Sequence, residues 1–335
     1  MRIWALSVSN GTCVAQVRFT RRWRRPRNRK RGLKVKVLIT GASGFVGTHL
    51  RAALQSEGSE AIGLSSNDLD LTAPPEDVAR AFLELLYHHR PDVVIHLAGP
   101  KPYANEERCQ KICVSGTAAL LEALRGYAAP LRLVAAGSSA EYGDSDRPGK
   151  CLDEETDPAP RSPYGKAKLA QTEAVAAAGG TVLRLFNCIG PFQATDVVAG
   201  RIVAQLARGS PQLVIRELKS RRDFLDVRDA AAAFVMAARG QIPPGIYNVC
   251  SGKARSIAEL LETAIEVSGI FPRPEIEVEC PEYPGSFQCG DPSKLEGFGW
   301  KRQFDLRRSL LDALEAARAE LSRPDVLGSS QKHTT

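Results

Sequence analysis

A tyrosine and a lysine four residues apart are the residues of this sequence best suited to acid–base chemistry. Tyr164 and Lys168 occur in the segment SPYGKAK, in which Pro163 suits the first turn of a helix. Residues four apart lie on one helix face, so the ammonium would lower the phenol pKa from its usual value of about 10. We therefore predict that Tyr164 exchanges a proton with a substrate, and that Lys168 tunes it and bonds a cofactor ribose.

A serine at the end of an apolar strand supports this interpretation. The run at 131–136 predicts a buried strand, and Gly137-Ser138-Ser139 follows it. Doubly wound α/β folds bind their ligands at the carboxyl ends of parallel strands, so Ser138 is a candidate for bonding the reacting group. A capping or turn serine is the alternative.

Histidine 96 requires a different interpretation because it lies inside the apolar run at 91–99, PDVVIHLAG. A continuous apolar run of this length predicts a buried parallel strand. We expect His96 to be packed or bonded to the backbone there, with catalysis as the less favoured alternative.

Three glycines at intervals of three indicate what else the site holds. Residues 35–39 form a β-branched apolar run, and a helical pattern resumes at Phe45. Gly41, Gly44 and Gly47 lie at the junction, which is the pattern of a dinucleotide-binding strand–turn–helix unit. Such a turn allows the backbone to approach a pyrophosphate at the helix N-terminus. A glycine turn without a ligand is the alternative.

The end of the second predicted strand, at 60–65, bears on the choice between NAD and NADP. Ser65 lies 24 residues after Gly41, where NAD-binding versions of the fold carry an acid for the ribose 2′-hydroxyl. No adjacent acid or arginine follows, so NADP(H) is slightly favoured and NAD(H) stays open. Asp70 lies within a short predicted strand at 68–72. It could bond the adenine amino group, or serve as an N-terminal acid of the next helix.

Length and composition bound the class of protein. A chain of 335 residues with 43% hydrophobic residues can form one large α/β domain, alone or with a smaller companion. No apolar run is long enough to span a bilayer. Eight cysteines occur without a C-x-x-C pair, and Cys109 and Cys113 have no matching second pair. We therefore predict no metal site, and reduced thiols in a cytoplasmic protein.

The net charge of +7 comes from one end of the chain. Residues 1–33 hold ten Lys or Arg and no acid, and the remainder has 35 basic and 38 acidic residues, a net charge of −3. Their charges follow the apolar segment, unlike those of a signal peptide. We expect a disordered extension or a wrongly assigned start, with a nucleic-acid-binding arm as the less favoured alternative. The fold is expected to begin near Lys34.

Together these motifs resemble the extended short-chain dehydrogenase/reductases, the NAD-dependent epimerase/dehydratase family of nucleotide-sugar enzymes. The resemblance spans residues 35–312, and the segments RRDFLDVRD and IYNVCSGKARSIAELL are most similar to the GDP-4-keto-6-deoxy-mannose reductases. Its further markers are His96-Leu-Ala-Gly99, Arg184-Leu-Phe-Asn187, Arg222 to Asp229 and Tyr247 to Gly252.

The resemblance implies a Rossmann-type doubly wound parallel sheet with a smaller C-terminal substrate-binding domain. The implied nucleotide-binding domain comprises 34–189 and 226–250, the substrate domain 190–225 and 251–320, and a loose tail 321–335. It also implies a homodimer formed through helices near 116–126 and 164–178. From the residues themselves we expect no membrane partner, and a nucleic-acid partner is not favoured despite the basic extension.

The resemblance also assigns roles to individual residues. The implied catalytic residues are Ser138, Tyr164 and Lys168. The implied cofactor-binding residues are Gly41, Gly44, Phe45, Val46, Gly47, Ser65, Asp70, Leu71, Leu97, Ala98, Gly99, Lys168 and Phe186. The implied substrate-binding residues are Ser139, Asn187 and Arg222. A surface salt bridge with Asp223 or Asp226 is the alternative for Arg222.

Three departures from the family pattern narrow the activity. The 4,6-dehydratases carry an acid one or two residues after the catalytic serine or threonine, where this chain has Ser139 and Ala140, with Glu141 one residue later. Cys113 replaces the usual asparagine of the proton relay. About ten residues before Asp291, where the group often has an arginine as a second phosphate clamp, this chain has none in the segment CPEYPGSFQCGDPSK.

We therefore expect an NAD(P)H-dependent reductase of a nucleotide-sugar ketone, of the GDP-4-keto-6-deoxyhexose type, with Tyr164 as the proton donor. A nucleotide-sugar epimerase is the nearest alternative, followed by a reductase of a non-nucleotide ketone. A non-catalytic dinucleotide sensor is the alternative from another functional class.

Overall fold

The protein is described by a computed structural model that covers residues 34–143 and 149–322. The predicted basic extension at 1–33 and most of the predicted tail at 321–335 lie outside the described residues.

Twelve strands are present in these ranges: β1 (Lys36–Thr40), β2 (Glu60–Leu64), β3 (Val93–His96), β4 (Arg132–Ser138), β5 (Thr181–Leu185), β6 (Asn187–Ile189), β7 (Gln212–Ile215), β8 (Arg221–Asp226), β9 (Ile246–Val249), β10 (Ala254–Ser256), β11 (Glu275–Val278) and β12 (Phe287–Gln288).

The same ranges contain ten α-helices: α1 (Phe45–Ser56), α2 (Pro75–His89), α3 (Glu106–Cys109), α4 (Thr117–Gly126), α5 (Pro163–Ala177), α6 (Val198–Ala207), α7 (Val227–Ala238), α8 (Ile257–Ser268), α9 (Ser293–Glu296) and α10 (Leu306–Leu321). No helix among the described residues is long and apolar enough to cross a membrane.

Six strands form one parallel sheet in the order β2-β1-β3-β4-β5-β9. The chain runs outward from β1 to β2 and then crosses back to β3 on the other side of β1. The carboxyl ends of β1 and β3 therefore form the switch point at which doubly wound folds bind ligands. The predicted Rossmann-type doubly wound sheet is confirmed.

The predicted short strand at 68–72 is wrong. These residues form turns, and Leu69 and Leu71 are nevertheless buried. Asp70 accepts hydrogen bonds from the backbone N–H and the hydroxyl of Thr72. Because Asp side chains that bond nearby backbone favour turns over strand ladders, the alternating apolar pattern was misleading here.

Helices cover both faces of this sheet because its strands present apolar residues on both sides. Consecutive residues of β1 belong to opposite cores: Ile39 packs with α1 and α7, and Leu38 packs with α2 and α4. Helix α2 buries Val78, Phe82 and Leu86, which are spaced by one turn on one face. The loops at the carboxyl ends of the strands are thus held by a sheet that is buried on both faces.

A second core lies outside the six-stranded sheet. Helices α6, α8 and α10 pack together around residues such as Ile202, Leu260 and Leu310. Strand β8 lies between β10 and β12 and also pairs with β6, and β11 pairs with β7. The chain enters this second region after β5, returns through α7 and β9 to the large sheet, and leaves it again. We propose that the domain boundaries follow these crossings.

The predicted helix from Glu106 to Gly126 is helical throughout but not uniform. Between α3 and α4 lies a π-helical segment, Gln110–Gly116, which contains Cys113. A Cβ added to Gly116 would lie 3.1 Å from the Leu71 side chain. π-Helical turns frequently occur at functional sites, and this one faces α5.

The prediction that all cysteines are reduced is wrong for one pair. Cys151 and Cys289 form a disulfide across 138 residues of sequence. A bridge between Leu152 and Gly290 brings the two segments side by side, and the Leu152 N–H donates to the Cys289 carbonyl at 2.7 Å. The pairing arises from tertiary contacts, which is why the spacing of cysteines along the chain did not indicate it.

Gly47 offers a test of the strand–turn–helix unit. A Cβ at this position would lie 2.4 Å from the Gly41 carbonyl oxygen and 2.8 Å from Ala42. We expect Gly47→Ala to lower the free energy of unfolding by about 1–3 kcal/mol in chemical denaturation.

Gly126 supplies the matched control for that experiment. It is also a helix glycine, and an added Cβ would make only ordinary contacts with Leu83 at 3.5 Å. Gly126→Ala is expected to leave stability unchanged or raise it by up to about 1 kcal/mol. Equal effects of the two substitutions would contradict the close approach at Gly47.

Candidate active site

Two adjoining cavities lie along the carboxyl edge of the six-stranded sheet. The first, the glycine-loop cavity, has a volume of about 310 Å³ and lies between Gly41, Ser65 and Ala98. The second, the serine–tyrosine cavity, has a volume of about 600 Å³ and reaches from Phe45 to β8. Leu97 and Gly99 line both cavities, so the two form one continuous cleft across the switch point.

Every residue predicted for the site except Gly47 lines this cleft. The glycine-loop cavity is lined by Gly41, Gly44, Ser65, Asp70, Leu71, Leu97, Ala98 and Gly99. The serine–tyrosine cavity is lined by Phe45, Val46, Leu97, Gly99, Ser138, Ser139, Tyr164, Lys168, Phe186, Asn187 and Arg222. Gly47 is buried behind the loop, where its role is close packing.

The glycine loop has the geometry of a phosphate cradle. Gly41 has a left-handed φ of 70°, and a Cβ there would lie 2.7 Å from the backbone nitrogen of Ala98. Helix α1 begins after Gly44, without a side-chain cap and without an acid in its first turn. Backbone N–H groups at such a helix end bind anions, so these residues fit the pyrophosphate of a dinucleotide.

The environment of Ser65 differs from the prediction that no acid lies there. The Asp68 carboxylate accepts hydrogen bonds from the Ser65 N–H and hydroxyl, both at 2.7 Å. These hydrogen bonds lower the pKa of Asp68, which keeps the group charged. A carboxylate three residues further along thus reaches the end of β2, but it is not among the residues that line the glycine-loop cavity.

Ser138 and Tyr164 meet in the second cavity. Ser138 ends β4 and caps the 3₁₀ turn Ser139–Glu141, accepting the Ala140 N–H at 3.2 Å. Tyr164 lies in the first turn of α5, whose N-cap residue Ser162 accepts the Gly165 N–H at 3.0 Å. The side chains of Tyr164 and Ser138 interact and line the same cavity. A carbonyl oxygen between these hydroxyls would face two donors.

The predicted lowering of the Tyr164 pKa is wrong in direction. Burial raises the pKa of Tyr164, and the hydrogen bond with Ser138 lowers it by less. The Lys168 ammonium instead donates to the Ala136 carbonyl at 2.5 Å and to Gln171 at 2.9 Å. Burial also lowers the pKa of Lys168. A phenol held protonated at neutral pH suits a proton donor.

Cys113 lies beside this pair, in the π-helical segment. It is fully buried and packs in one cluster with Cys109, Ala167 and Tyr164. Burial raises the pKa of its thiol, so it is a neutral neighbour of Tyr164. The hydrogen-bonding side chain expected at this position is thus replaced by a small apolar one.

His96 is a structural residue, as its place in the apolar run predicted. Its Nδ1 is 2.7 Å from the Thr40 hydroxyl and its Nε2 is 3.3 Å from the Thr117 hydroxyl. The ring therefore joins β1, β3 and α4 below the cleft. Burial, with a smaller effect of the Lys168 charge, lowers the pKa of His96 to about 3.

The buried His96 predicts a pH dependence of stability. Its pKa is about 6.5 in an unfolded chain and about 3 when folded, so the unfolded state binds the proton. Its contribution is therefore complete above pH 6.5 and is lost as the pH falls toward 3. We expect denaturation curves to show about 1.4 kcal/mol less stability per pH unit below 6.5 from this residue.

His96→Gln removes the titrating ring and serves as the reference for that measurement. The variant is expected to lose less stability than the wild type between pH 6.5 and 5.5. The same pH dependence in both proteins would show that His96 becomes protonated in the folded state.

The substrate-side residues are held by β6 and β8. The Asn187 amide donates to the Asp223 carbonyl at 3.1 Å, and the Arg222 guanidinium donates to the Ser286 carbonyl at 3.0 Å. The acids considered as partners for Arg222 are engaged elsewhere. Asp223 accepts the Ser251 N–H at 2.6 Å, and Asp226 pairs with Arg228 at 2.7 Å.

The structure adds polar residues that the sequence did not indicate. Arg161, Lys101 and Gln288 also line the serine–tyrosine cavity. Gln288 donates to the carbonyls of Ser139 and Gly143, at 2.9 and 3.0 Å. Arg161 directly precedes the Ser-Pro-Tyr segment, and only this position in the sequence could have indicated that it belongs to the site.

A polar contact closes one side of the same cavity. The Asp196 carboxylate, on the segment before α6, accepts hydrogen bonds from the Lys101 ammonium and the Tyr103 hydroxyl. These bonds lower the pKa of Asp196. Lys101 and Asp196 both line the cavity, so loops from the two regions of the fold meet at its edge.

Glu141 lies outside the cleft in which a dehydratase acid would have to act. Its side chain is fully buried and pairs with Arg184 at 2.6 Å, and the residue is not among those lining the cleft. Among the described residues, no cluster of His, Cys, Asp or Glu could hold a metal ion.

The cleft defines a class of protein, the Rossmann-fold enzymes that use a nicotinamide dinucleotide. A family model described as the NAD dependent epimerase/dehydratase family matches residues 37–250. The chain belongs to this family and is an NAD(P)-dependent enzyme.

Two relatives align over most of their length. The chain is 35% identical over 299 residues to dTDP-6-deoxy-L-talose 4-dehydrogenase (NAD(P)(+)) of Kitasatospora kifunensis, covering 82% of this chain and 93% of the relative. It is 31% identical over 301 residues to GDP-6-deoxy-D-mannose reductase of Pseudomonas aeruginosa, covering 82% and 94%.

Solved structures show the same fold. The structure of RMD from Pseudomonas aeruginosa complexed with NADPH has a TM-score of 0.75 and 29% identity, covering 86% of this chain and 100% of that one. Two cofactor forms therefore occur among the relatives, since another neighbour, MoeE5, was solved with UDP-glucose and NAD at 26% identity and a TM-score of 0.71, covering 86% of this chain and 100% of that one.

Proposed function

We propose that the protein reduces the keto group of a nucleotide sugar, of the 4-keto-6-deoxyhexose type, with NAD(P)H. The observation that carries this proposal is the placement of Ser138 and Tyr164 together in the lining of the larger cavity, next to a cradle that fits a dinucleotide. The two relatives described above, at 35% and 31% identity, are a 4-dehydrogenase and a reductase of 6-deoxyhexose nucleotides, which supports the same reaction class.

The residues of the cleft would divide the work as follows. Ser138 and Tyr164 would hold the ketone oxygen, and Tyr164 would give it the phenolic proton. Lys168, one helical turn further along α5, would orient the ribose of the cofactor. Bound NAD(P)H would supply the hydride. Burial keeps Tyr164 in its protonated form, which is the form that can give a proton to the ketone oxygen.

Cationic side chains in the larger cavity favour a phosphorylated substrate. Arg222 and Arg161 both line it, and a guanidinium binds phosphate oxygens through its planar donors. The clamp that the sequence lacks before Asp291 thus has a counterpart in Arg161, which argues against a non-nucleotide ketone. We also propose a GDP-linked substrate, on the similarity of the segments at 221–229 and 246–261 to GDP-sugar reductases.

An epimerase is the second candidate, because relatives at 25–26% identity are nucleotide-sugar 4-epimerases. Epimerases use the same kind of transient ketone, and consume no net NAD(P)H. We also propose that the protein is cytoplasmic and forms a homodimer through α4 and α5.

The first test follows NADPH and NADH absorbance with GDP-4-keto-6-deoxy-mannose. We expect oxidation by the wild type and a loss of at least about 100-fold in kcat for Tyr164→Phe, since a general acid contributes about 10²–10⁴-fold. Calorimetry should show unchanged cofactor binding by the variant. Isomerised sugar without net oxidation would instead establish the epimerase, and binding without turnover of this or a dTDP-linked ketone would favour the sensor.

Arg222 tests the nucleotide-sugar assignment. Arg222→Met is expected to raise KM for the sugar nucleotide by about 10- to 100-fold, because a hydrogen bond to a charged group contributes about 1.5–3 kcal/mol. The dissociation constant of the cofactor should stay unchanged. Arg221→Met is the control, since Arg221 adjoins it on β8 but points to Ala254 and Glu259. Equal KM values in both variants would remove Arg222 from the substrate site.

A further inference from the structure

A fully buried carboxylate lies behind the candidate catalytic serine. Glu141 has no exposed surface. One of its oxygens accepts the Ser138 N–H at 2.7 Å and the Thr172 hydroxyl at 2.9 Å. The other accepts the Arg184 Nε at 2.6 Å. Three separate elements, β4, α5 and β5, therefore converge on one side chain.

The approach of this carboxylate depends on a glycine. A Cβ on Gly137 would lie 2.8 Å from the nearer Glu141 oxygen and 2.9 Å from Val182. Gly137, which directly precedes Ser138 on β4, therefore leaves this space free of side-chain atoms. Glu141 can reach back to the Ser138 N–H only because that space is open.

Arg184 is itself fixed by its neighbours. Its side chain is 3% exposed and stacks 4.6 Å from the centroid of the Tyr142 ring. The Tyr142 hydroxyl donates to Asn248 on β9 at 2.9 Å. A buried charge pair of this kind loses much hydration free energy, so it stabilises the fold less than its geometry implies.

Helix α5 places the third partner in register with the candidate chemistry. Tyr164, Lys168 and Thr172 follow one another at intervals of four residues on α5, and such residues share one face. The Thr172 hydroxyl donates to the same Glu141 oxygen that holds the Ser138 N–H. The path from Ser138 through Glu141 to Thr172 therefore connects the serine strand directly to the tyrosine helix.

We propose that Glu141 is a positioning residue that fixes the Ser138 hydroxyl relative to the Tyr164 phenol through its shared contact with Thr172. This inference rests on the proposed reductase function for its catalytic consequence, but the structural link can be measured without it. Dehydratases use an acid close to this position for water elimination. In this protein Glu141 lies outside the cleft and holds Ser138 and Tyr164 in place.

The test uses conservative substitutions of Thr172, because Glu141 variants leave Arg184 without its buried counter-charge. Thr172→Val removes the donor at nearly constant shape, and Thr172→Ser keeps it. We expect kcat for ketone reduction to fall about 5- to 30-fold in Thr172→Val, with KM and cofactor affinity unchanged. The deuterium isotope effect on kcat, measured with 4-deuterated NADPH, should increase. Thr172→Ser should restore kcat to within about two-fold.

A remote threonine controls for the general loss of a buried hydroxyl. Thr263 on α8 donates to the Glu259 carbonyl of its own helix at 2.8 Å, and Thr263→Val should leave kcat unchanged. Wild-type kcat in Thr172→Val, or equal losses in the Val and Ser variants, would overturn the inference while the reductase function stands.

Amide hydrogen exchange at Ser138 provides the measurement that needs no substrate. Exchange should be at least about 10-fold faster in Thr172→Val than in the wild type, and near wild type in Thr172→Ser. Unchanged exchange in Thr172→Val would overturn the inference even if no ketone were turned over. Absence of wild-type reduction combined with faster exchange would reject the proposed function but keep the link between β4 and α5.

Discussion

The parallel pairing of β1 with β3 is the constraint on which the rest of the site depends. The chain passes from β1 outward to β2 and then back to β3. The loops that leave the carboxyl ends of strands β1 and β3 therefore run in opposite directions, and an opening lies between them. The glycine turn fills this opening with backbone alone, and Gly41 lies against Ala98 more closely than any side chain allows. The cleft, its phosphate cradle and the cavity beyond it all follow from this arrangement.

Burial, more than the pairing of charges, governs the chemistry of the larger cavity. It raises the pKa of Tyr164 and lowers that of Lys168, so both groups are driven toward their neutral forms. Lys168 bonds a backbone carbonyl of β4, which ties the tyrosine helix to the serine strand a second time. The result is a proton donor embedded in a rigid junction of strand and helix.

Local patterns, together with the family resemblance, were sufficient to predict the sheet, the glycine loop and the residues of the cleft. Gly41, Ser138 and Tyr164 each lie at an element boundary, where glycine, serine and proline have specific conformational roles, so their positions were readable from the chain. Contacts that depend on the conformation of a turn or on which strands are neighbours were not readable. The hydrogen bond between the Asp68 carboxylate and Ser65 depends on the turn at 65–68. Glu141 pairs with Arg184 only because β4 and β5 lie side by side. The same limit applies to the Cys151–Cys289 pair.

The order in which the chain visits its two regions affects how it is made on the ribosome. Strand β5 ends at Leu185, but its outer neighbour β9 and the helix that covers α1, α7, follow only after β6, α6, β7 and β8. About sixty residues must therefore be synthesised before the edge of β5 is paired and the apolar side of α1 is covered. At roughly 5–20 residues per second, this leaves a five-stranded sheet with an open edge for about 3–12 seconds. Cellular yield should therefore depend on chaperones that shield nascent strands during that interval.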